Sequence, residues 1–546
     1  MRHTPFAELL RYFFASLFRV EGAADDDSYK VWMFQILALL LTAAWQIPVQ
    51  LFRRYADLQH YADPERYRLA YSTDTFFAIC ILSLVIALLA LVEWSELLPS
   101  RQDHLVLAPL PIPRLSFFAA KLGALTIFFS VAIIGTSLLI GVALPGIASG
   151  ALEPRPALFR MALLTAQLLG AGYFTFWSMV AVQGLLMSAL PVRWFECVSF
   201  AVQITLVVAV VCALPLLPYL PAAKLIANEP RWLAYVPPAW FWRFDQNAAW
   251  ALAIAASAAA GSYLISYLQY SRYQLESPRR VRKIFDAIEL VARLFRKPES
   301  RAICEFTLRT LSRCRKQKLV FLVIAGMGVA VIAEGAMYLI VHPTRNPVRA
   351  AQELQAAIIS APLTLSFFSM VGLRRAFRIP EELRANWLFQ VVETGSAEEQ
   401  IATAVTCFLL VGAAPFWLAS IPVEAAVFGI RAVVVLAAQA VLMYALAGYL
   451  MSDWRALPFT FAQNAARRHF IQSMVVHLIE LIVYSFIASE WIRAAMHSWR
   501  SLAALAIVLA GTTFLIRRLR TDEPDAPLEF AERLSQAVEE LRLVQH

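Results

Sequence analysis

Charged residues and glycine are scarce in this sequence. Only 16% of the 546 residues are charged and only 19 are glycine, whereas 60% are hydrophobic. A soluble domain carries about 25% charged and about 45–50% apolar residues. The shortage of charge argues against a soluble enzyme or a disordered tail, and the few glycines exclude a collagen-like rod. The composition therefore predicts a polytopic membrane protein.

Motifs for bound metals, nucleotides and covalent catalysis are also missing. None of the six cysteines has zinc-ligand spacing relative to another, so we expect neither a metal centre nor a structural disulfide. The sequence contains no Gly-rich phosphate loop ending in Lys-Ser or Lys-Thr, no His-Glu-x-x-His and no nucleophile elbow. We therefore predict no catalytic residue and no cofactor bound by this chain.

Long apolar runs account for most of the sequence. A helix needs about 20 apolar residues to cross about 30 Å of hydrocarbon, and lipid admits only helices or closed barrels. Alternating segments typical of a barrel are lacking, so we predict an all-α membrane protein with about twelve spans in a 6+6 arrangement. The predicted spans are Val31–Leu51, Thr75–Val92, Leu115–Ala143, Met161–Leu190, Val198–Leu217, Ala248–Tyr270, Leu319–Val341, Leu354–Leu373, Ile401–Ile421, Ala432–Met451, Phe470–Ser489 and Leu502–Ile516.

The spans and the charges between them divide the chain into five parts. These are an N-terminal interfacial helix (1–30), a first membrane half (31–270), a basic cytoplasmic linker with an amphipathic helix (271–318), a second membrane half (319–516) and a cytoplasmic tail helix (517–546). Most Lys and Arg residues fall inside when both termini are cytoplasmic, as the positive-inside rule requires. Four arginines fit poorly, because this topology places Arg53, Arg54, Arg66 and Arg68 outside.

The linker alone carries as large a positive excess as the whole chain, +9. A nucleic-acid interface is the first interpretation of such a segment, but the aromatic and glycine content of an RNA-binding module is lacking. The charge is explained more simply by topology and by attraction to anionic lipid head groups. We expect membrane lipids as partners and no nucleic acid.

Three ionisable residues lie inside predicted spans, where charge is expensive. Glu334 lies in the seventh span, and His477 and Glu480 lie in the eleventh, three residues apart and hence on one helix face. They are candidates for a proton relay or for the lining of a polar pathway. The alternative is that His477 and Glu480 pair with each other or with a neighbouring helix.

The loop after the second span carries the most distinctive motif. It reads EWSELLPSRQDHLVLAPLPIPRLSFFAAKL from Glu93 to Leu122, with acidic residues at the end of a span and a proline-rich return that leads to Arg114 and Lys121. This segment resembles the loop between the second and third helices of ABC-2-type permeases, the membrane subunits of ABC exporters. The segment YVPPAWF, from Tyr235 to Phe241, is similar to their external Pro-x-x-Trp element.

The resemblance implies an ATP-driven exporter in a bacterial inner membrane. Permeases of that family have an elbow helix before six spans, and the loop after the second span forms a coupling helix on a separate ATPase subunit. A twelve-span chain would be a fused pseudo-dimer that binds two copies of the ATPase, with ATP used only by that partner and the pathway between the halves. The implied coupling residues are Glu93, Glu96, Arg101, Asp103, Pro109, Pro111, Arg114, Pro380, Glu382, Arg384, Asn386 and Trp387. The second loop, FRIPEELRANWLFQV, lacks the Leu-Pro-Leu signature and matches by position only.

Two other classes of protein stay open. A major-facilitator-like, proton-coupled transporter shares twelve helices and a basic central loop, but this chain lacks that family's Gly-x-x-x-Asp-Arg signature after the second span. An intramembrane enzyme acting on lipid-linked substrates would need carboxylates such as Asp57, Asp63 and Glu65. A solvated salt-bridge surface is the simpler interpretation of these acids.

Overall fold

A computed structural model describes residues 5–17, 28–60, 63–94, 96–98, 114–148, 156–273, 287–379, 397–454, 456–460 and 470–521. These residues form helices joined by short turns, with no strand among them. The predicted all-α class is thus confirmed for the described part of the chain. The chain divides into two compact units, Met1–Arg280 and Val281–His546.

Unit 1 consists of long helices preceded by one short helix and interrupted by two others. In chain order they are α1 (Pro5–Ser16), α2 (Ser28–His60), α3 (Pro64–Val92), α4 (Arg114–Ile147), α5 (Ala157–Ala189), α6 (Val192–Leu216), α7 (Ala222–Asn228), α8 (Pro237–Arg243) and α9 (Gln246–Tyr273). Helix α5 contacts α3, α4, α6 and α9 and so forms the centre of the unit. Gly184 lets α5 and α9 approach closely, because a Cβ at this position would collide with the Ser262 side chain.

The N-terminal helix α1 packs against α4. Its Leu9 and Phe13 are buried, whereas Phe6 remains exposed. The apolar face that the sequence predicts for an interfacial helix is therefore partly used to dock on the bundle.

Unit 2 repeats the pattern of long helices. They are α10 (Ala287–Ala292), α11 (Pro298–Arg313), α12 (Arg315–Val341), α13 (Pro347–Phe377), α14 (Ala397–Gly412), α15 (Ala414–Phe428), α16 (Ala432–Leu450), α17 (Phe470–Leu481), α18 (Ala488–Ala495) and α19 (Trp499–Thr521). Helix α13 contacts α12, α14, α15, α16 and α18. Its Leu363, Phe367 and Met370 are buried in the core of the unit.

Helices α15 and α16 form a hairpin. The turn between them, Gly429–Arg431, begins at a glycine with φ of 58°, a backbone conformation that favours glycine. Across the hairpin the Trp417 indole donates to the Leu436 carbonyl, 3.0 Å away. A continuous helix would separate these two residues by about 28 Å, so the chain must reverse direction.

Eight stretches of the described residues are long and apolar enough to span a membrane. They are Pro64–Val92, Ser116–Ile147, Ala157–Ala189, Cys197–Tyr219, Gln246–Ile265, Arg315–Val341, Pro347–Phe377 and Ala414–Leu450, the last being the α15–α16 hairpin. Two shorter apolar helices, Glu399–Gly412 and Trp499–Thr512, accompany them. The chain is thus an integral membrane protein of helical class.

Helix boundaries differ most from the sequence prediction between the first and second predicted spans. The sequence predicts a loop between Leu51 and Thr75, whereas α2 runs to His60 and α3 begins at Pro64. Asp63 caps α3, because its carboxylate accepts from the backbone N–H groups of Glu65 and Arg66. Proline at the first helical position reinforces this start. Polar residues of the predicted loop therefore belong to helices.

Candidate functional site

The end of α3 in unit 1 is where the first long loop begins. We name Leu91–Trp94 together with Glu96–Leu98 the first loop root. The Trp94 side chain is fully buried, and its indole N–H donates to Ser199 Oγ on α6 at 2.9 Å. A large aromatic side chain buried immediately after a span fixes the direction in which the chain leaves the helix.

Carbonyl groups of the first loop root are bound by three other helices. A helix end leaves its last carbonyls without partners in the helix. Here Gln203 of α6 donates to Leu91 O at 2.8 Å and Gln183 of α5 donates to Trp94 O at 2.5 Å. The Tyr263 hydroxyl of α9 donates to Leu97 O. All three of these hydrogen bonds are buried, which makes the joint between loop and bundle rigid.

An ion pair with a buried lysine also holds the first loop root in place. Lys121 of α4 is only 1% exposed, and its Nζ lies 2.5 Å from Glu96 Oε2. The same ammonium lies 5.1 Å from the centroid of the Phe13 ring on α1. Lys121 therefore connects α1, α4 and the loop root through one side chain.

Glu93 is the first residue beyond the span Pro64–Val92. Burial and the nearby Glu96 carboxylate raise the pKa of Glu93 to about 7, and Lys121 acts in the opposite direction. The root therefore contains a carboxyl group that titrates near neutral pH, while Glu96 is paired with Lys121.

Unit 2 has a corresponding structure at the end of α13. We name Phe377–Ile379 the second loop root. Phe377 is fully buried and contacts the rings of Phe408, Trp454 and Phe459 at centroid distances of 6.0, 6.2 and 5.3 Å. The Phe459 backbone N–H donates to Phe377 O at 2.8 Å.

Polar and charged side chains also hold the second loop root. Gln317 of α12 donates to Ile379 O at 3.3 Å. Arg374 Nη2 contacts both oxygens of Asp453, at 2.7 and 2.8 Å, and Arg378 lies 3.6 Å from the same carboxylate. The Arg378 guanidinium also stacks over the Trp454 ring, 5.7 Å from its centroid. The two roots occupy the same place in their units but are built from different residues.

Sequence-predicted coupling residues fall into two groups. Glu93 and Glu96 lie in the first loop root, and Arg114 begins α4. The others lie outside the described residues, namely Arg101, Asp103, Pro109, Pro111, Pro380, Glu382, Arg384, Asn386 and Trp387. The predicted tail helix beyond Thr521 lies outside them as well.

The predicted polar pathway residues do not come together in one cluster. His477 Nδ1 lies 2.7 Å from Glu480 Oε2, and the Tyr449 hydroxyl donates to Glu480 Oε1 at 2.7 Å. This is the pairing that the sequence left open as the structural alternative to a relay. Glu334 is exposed on α12 and makes no ion pair with any residue that the structure describes.

The junction between α2 and α3 contains three of the four arginines that fit the predicted topology poorly. Arg54 Nη1 lies 2.7 Å from Asp74 Oδ1, and the Tyr55 hydroxyl donates to Asp74 Oδ2 at 2.8 Å. Arg66 pairs with Asp63, and Arg68 pairs with Glu65. Each of these three arginines is therefore paired with a carboxylate.

Two of the three carboxylates that an enzyme would need have structural roles. Asp63 caps α3 and pairs with Arg66, while Glu65 pairs with Arg68. Asp57 is exposed on α2. Among the residues that the structure describes, no group of three His, Cys, Asp or Glu side chains has a metal-binding arrangement.

Sequence reasoning missed the residues that hold the roots and one buried acid. Gln183, Gln203 and Tyr263 lie in or beside apolar runs, where a polar side chain must find a partner. Glu424 falls in a predicted external loop but is buried in the α15–α16 hairpin. A polar residue within or next to an apolar run was the signal available for all four.

No family model, no curated protein and no solved structure matches this chain. The class that the fold defines is an integral membrane protein of helical type, with two compact units. Its function has to be inferred from the sequence motif and the two loop roots.

Proposed function

We propose that this chain is the membrane permease of an ATP-driven exporter, similar to ABC-2-type permeases. In this proposal its twelve spans form two six-helix halves with both termini in the cytoplasm of a bacterium. The loop after the second span of each half docks on one copy of a separate ATPase subunit. ATP is hydrolysed by that partner, and the substrate moves between the halves.

The main support for this proposal is that the two loop roots, from which the long loops leave the membrane, are bound rigidly to the helices of their units. A motor outside the membrane can move a bundle only if its contact segment transmits force without bending. In unit 1, side chains from α5, α6 and α9 bind carbonyls of the first loop root, and Lys121 of α4 binds Glu96. A force on this root is therefore distributed over α4, α5, α6 and α9.

The second loop root supports the same mechanism in unit 2. Gln317 of α12 and the Phe459 backbone bind its carbonyls, while Phe377 is packed among three rings. A solvated loop without a partner has no need for such anchoring, because its ends are free to fray. The observation favours two coupling loops over one.

Paired charges at the outer end support the proposed topology. Arg54, Arg66 and Arg68 each contact a carboxylate, so their placement outside conflicts little with the positive-inside bias of the remaining loops. The exposed aromatic residues Trp232 and Tyr235, in the short segment between α7 and α8, suit the head-group layer of the outer leaflet.

Purification of the tagged full chain from its native host in mild detergent tests this function. We expect an ATPase subunit carrying a Gly-rich phosphate loop to co-purify, identified by mass spectrometry. Replacing Arg101 and Asp103 together by alanine should reduce its recovery about tenfold, equivalent to about 1.4 kcal/mol.

The matched control replaces Arg53 and Asp57 by alanine, an exposed pair of opposite charges at the other end of the bundle. This variant should retain the ATPase subunit. A chain that purifies alone and transports substrate in proteoliposomes without ATP would contradict the proposal and indicate a secondary transporter.

A further inference from the structure

A buried carboxyl–amide pair lies between α15 and α16 of unit 2. Glu424 and Gln439 are both fully buried. Gln439 Nε2 donates to Glu424 Oε1 at 2.7 Å across the hairpin. Glu424 lies a little over one helical turn before the Gly429–Arg431 turn, and thus near the turn end of the hairpin.

The amide orientation of Gln439 is fixed by a second acceptor. Its Nε2 also donates to the Ile359 carbonyl of α13 at 3.2 Å. Both amide hydrogens are thereby used, and exchanging the amide oxygen and nitrogen would place two oxygens against these acceptors. Gln439 therefore has no further hydrogen to donate.

Two buried oxygens of this pair are left without a hydrogen bond. Glu424 Oε2 and Gln439 Oε1 have no partner among the residues that the structure describes. Both are acceptors as long as the carboxyl group is ionised, so neither can satisfy the other. The Ser420 hydroxyl, one turn earlier on α15, donates to the Trp417 carbonyl at 2.9 Å.

Among the residues that the structure describes, no positive charge forms an ion pair with Glu424. The titratable groups on the elements packed against it are Arg349, Glu353, Arg374 and Arg375 of α13, Glu398, Glu399 and Cys407 of α14, Arg431 of the turn, and Tyr444 and Tyr449 of α16. None of them forms an ion pair or hydrogen bond with Glu424. An unpaired carboxylate inside a membrane bundle is strongly unfavourable.

We propose that Glu424 is a proton-binding site within the membrane part of unit 2. The carboxylate takes up one proton from water, an O–H bond forms at Oε2, and the side chain becomes neutral. The new hydroxyl is a donor, and the Gln439 carbonyl oxygen and the Ser420 hydroxyl oxygen are the acceptors available to it. Binding of one proton thus neutralises the Glu424 carboxylate and supplies the hydrogen-bond donor that the two buried oxygens lack.

This site is independent of the ATPase proposed above. It lies on the α15–α16 hairpin rather than at a loop root, and a proton is its only ligand. Gln439 acts as a positioning residue, since it orients the carboxyl group without exchanging a proton itself.

Infrared spectroscopy of the purified full chain in lipid at neutral pH tests the site. A protonated carboxylic acid absorbs above the amide I band, where ionised carboxylates do not. We expect a difference spectrum between the wild type and Glu424→Gln to show the loss of one such band. Glu229→Gln, which changes an exposed carboxylate paired with Arg243, should leave this region unchanged.

Thermal unfolding provides the second measurement. Glutamine is a neutral isostere of the protonated acid, so Glu424→Gln should melt within a few degrees of the wild type at neutral pH. Gln439→Leu, which removes the amide donors, should melt lower. An unchanged spectrum for Glu424→Gln, or failure of that variant to fold, would show that the ionised form is the native one and would overturn the proposal.

Discussion

Replacing Lys121 by methionine is expected to destabilise unit 1 by about 3 kcal/mol. The Lys121 ammonium is almost inaccessible to water and lies 2.5 Å from Glu96 Oε2. Methionine preserves the length and packing of the side chain but leaves Glu96 without its cation. Removing one partner of a buried ion pair costs about 3–5 kcal/mol, and the lower end applies because Glu96 is 34% exposed.

The measurement is chemical unfolding of the purified protein in detergent, with two matched controls. Lys121→Arg should lose much less stability, because it keeps the charge. The Lys121→Met, Glu96→Gln double variant should recover at least half of the loss, since it removes both charges together. Equal losses in the single and double variants would show that Lys121 acts through packing alone.

Unit 1 should lose stability as the pH rises from about 4.5 to about 7, and Glu93 is the group responsible. Its pKa is about 7 in the folded protein against an ordinary value of 4.5, because burial and Glu96 disfavour the charged form. Between these values the folded state binds more protons than the unfolded state. The contribution is therefore fully present below pH 4.5 and is lost as the pH rises through 7.

Glu93→Gln should remove this part of the pH dependence. The variant is expected to be about 2 kcal/mol more stable than the wild type above pH 7, after allowance for partial solvent access. The check is a comparison of unfolding midpoints for the two proteins between pH 4 and pH 8. Glu65→Gln, which changes an exposed carboxylate at the start of α3, is the control and should run parallel to the wild type. Parallel profiles for Glu93→Gln would contradict the assignment.

Hydropathy predicted the helical class well but located helix ends poorly. Apolar runs identify the part of a helix that faces lipid. Helix α2 continues beyond its apolar run through polar residues to His60, and α3 begins at Pro64, before its own apolar run starts. Local capping at Asp63 and the ion pairs of Arg54, Arg66 and Arg68 stabilise these polar turns. Neither effect is visible in a hydropathy average.

The sequence was sufficient to locate the candidate site, but it did not predict which side chains bind the loop roots. The motif pointed to Glu93 and Glu96 as polar contacts for a partner, and the structure places both in the first loop root. Their partners come from helices far along the chain, such as Tyr263, which donates to Leu97. Contacts over such separations depend on tertiary packing, and periodicity within one helix carries no information about them.

Dependence on tertiary packing also explains why the sequence places Glu424 in a predicted loop. Pro422 and Gly429 lie on either side of Glu424 in the sequence, and both residue types are typical of a turn. The turn is confined to Gly429–Arg431, and Pro422 lies inside α15. Only the antiparallel packing of α15 on α16 reveals that the side chain is buried and faces Gln439.

Site-directed photocross-linking in the native host can show whether both loops dock on an ATPase subunit. A photoreactive phenylalanine derivative is placed at Asp103 in the first loop, at Asn386 in the second, and at the exposed Tyr235 as control. We expect a covalent adduct with the same ATPase subunit from both loop positions and none from position 235. No ATPase adduct from either loop, in cells where the variants retain transport, would contradict the proposal.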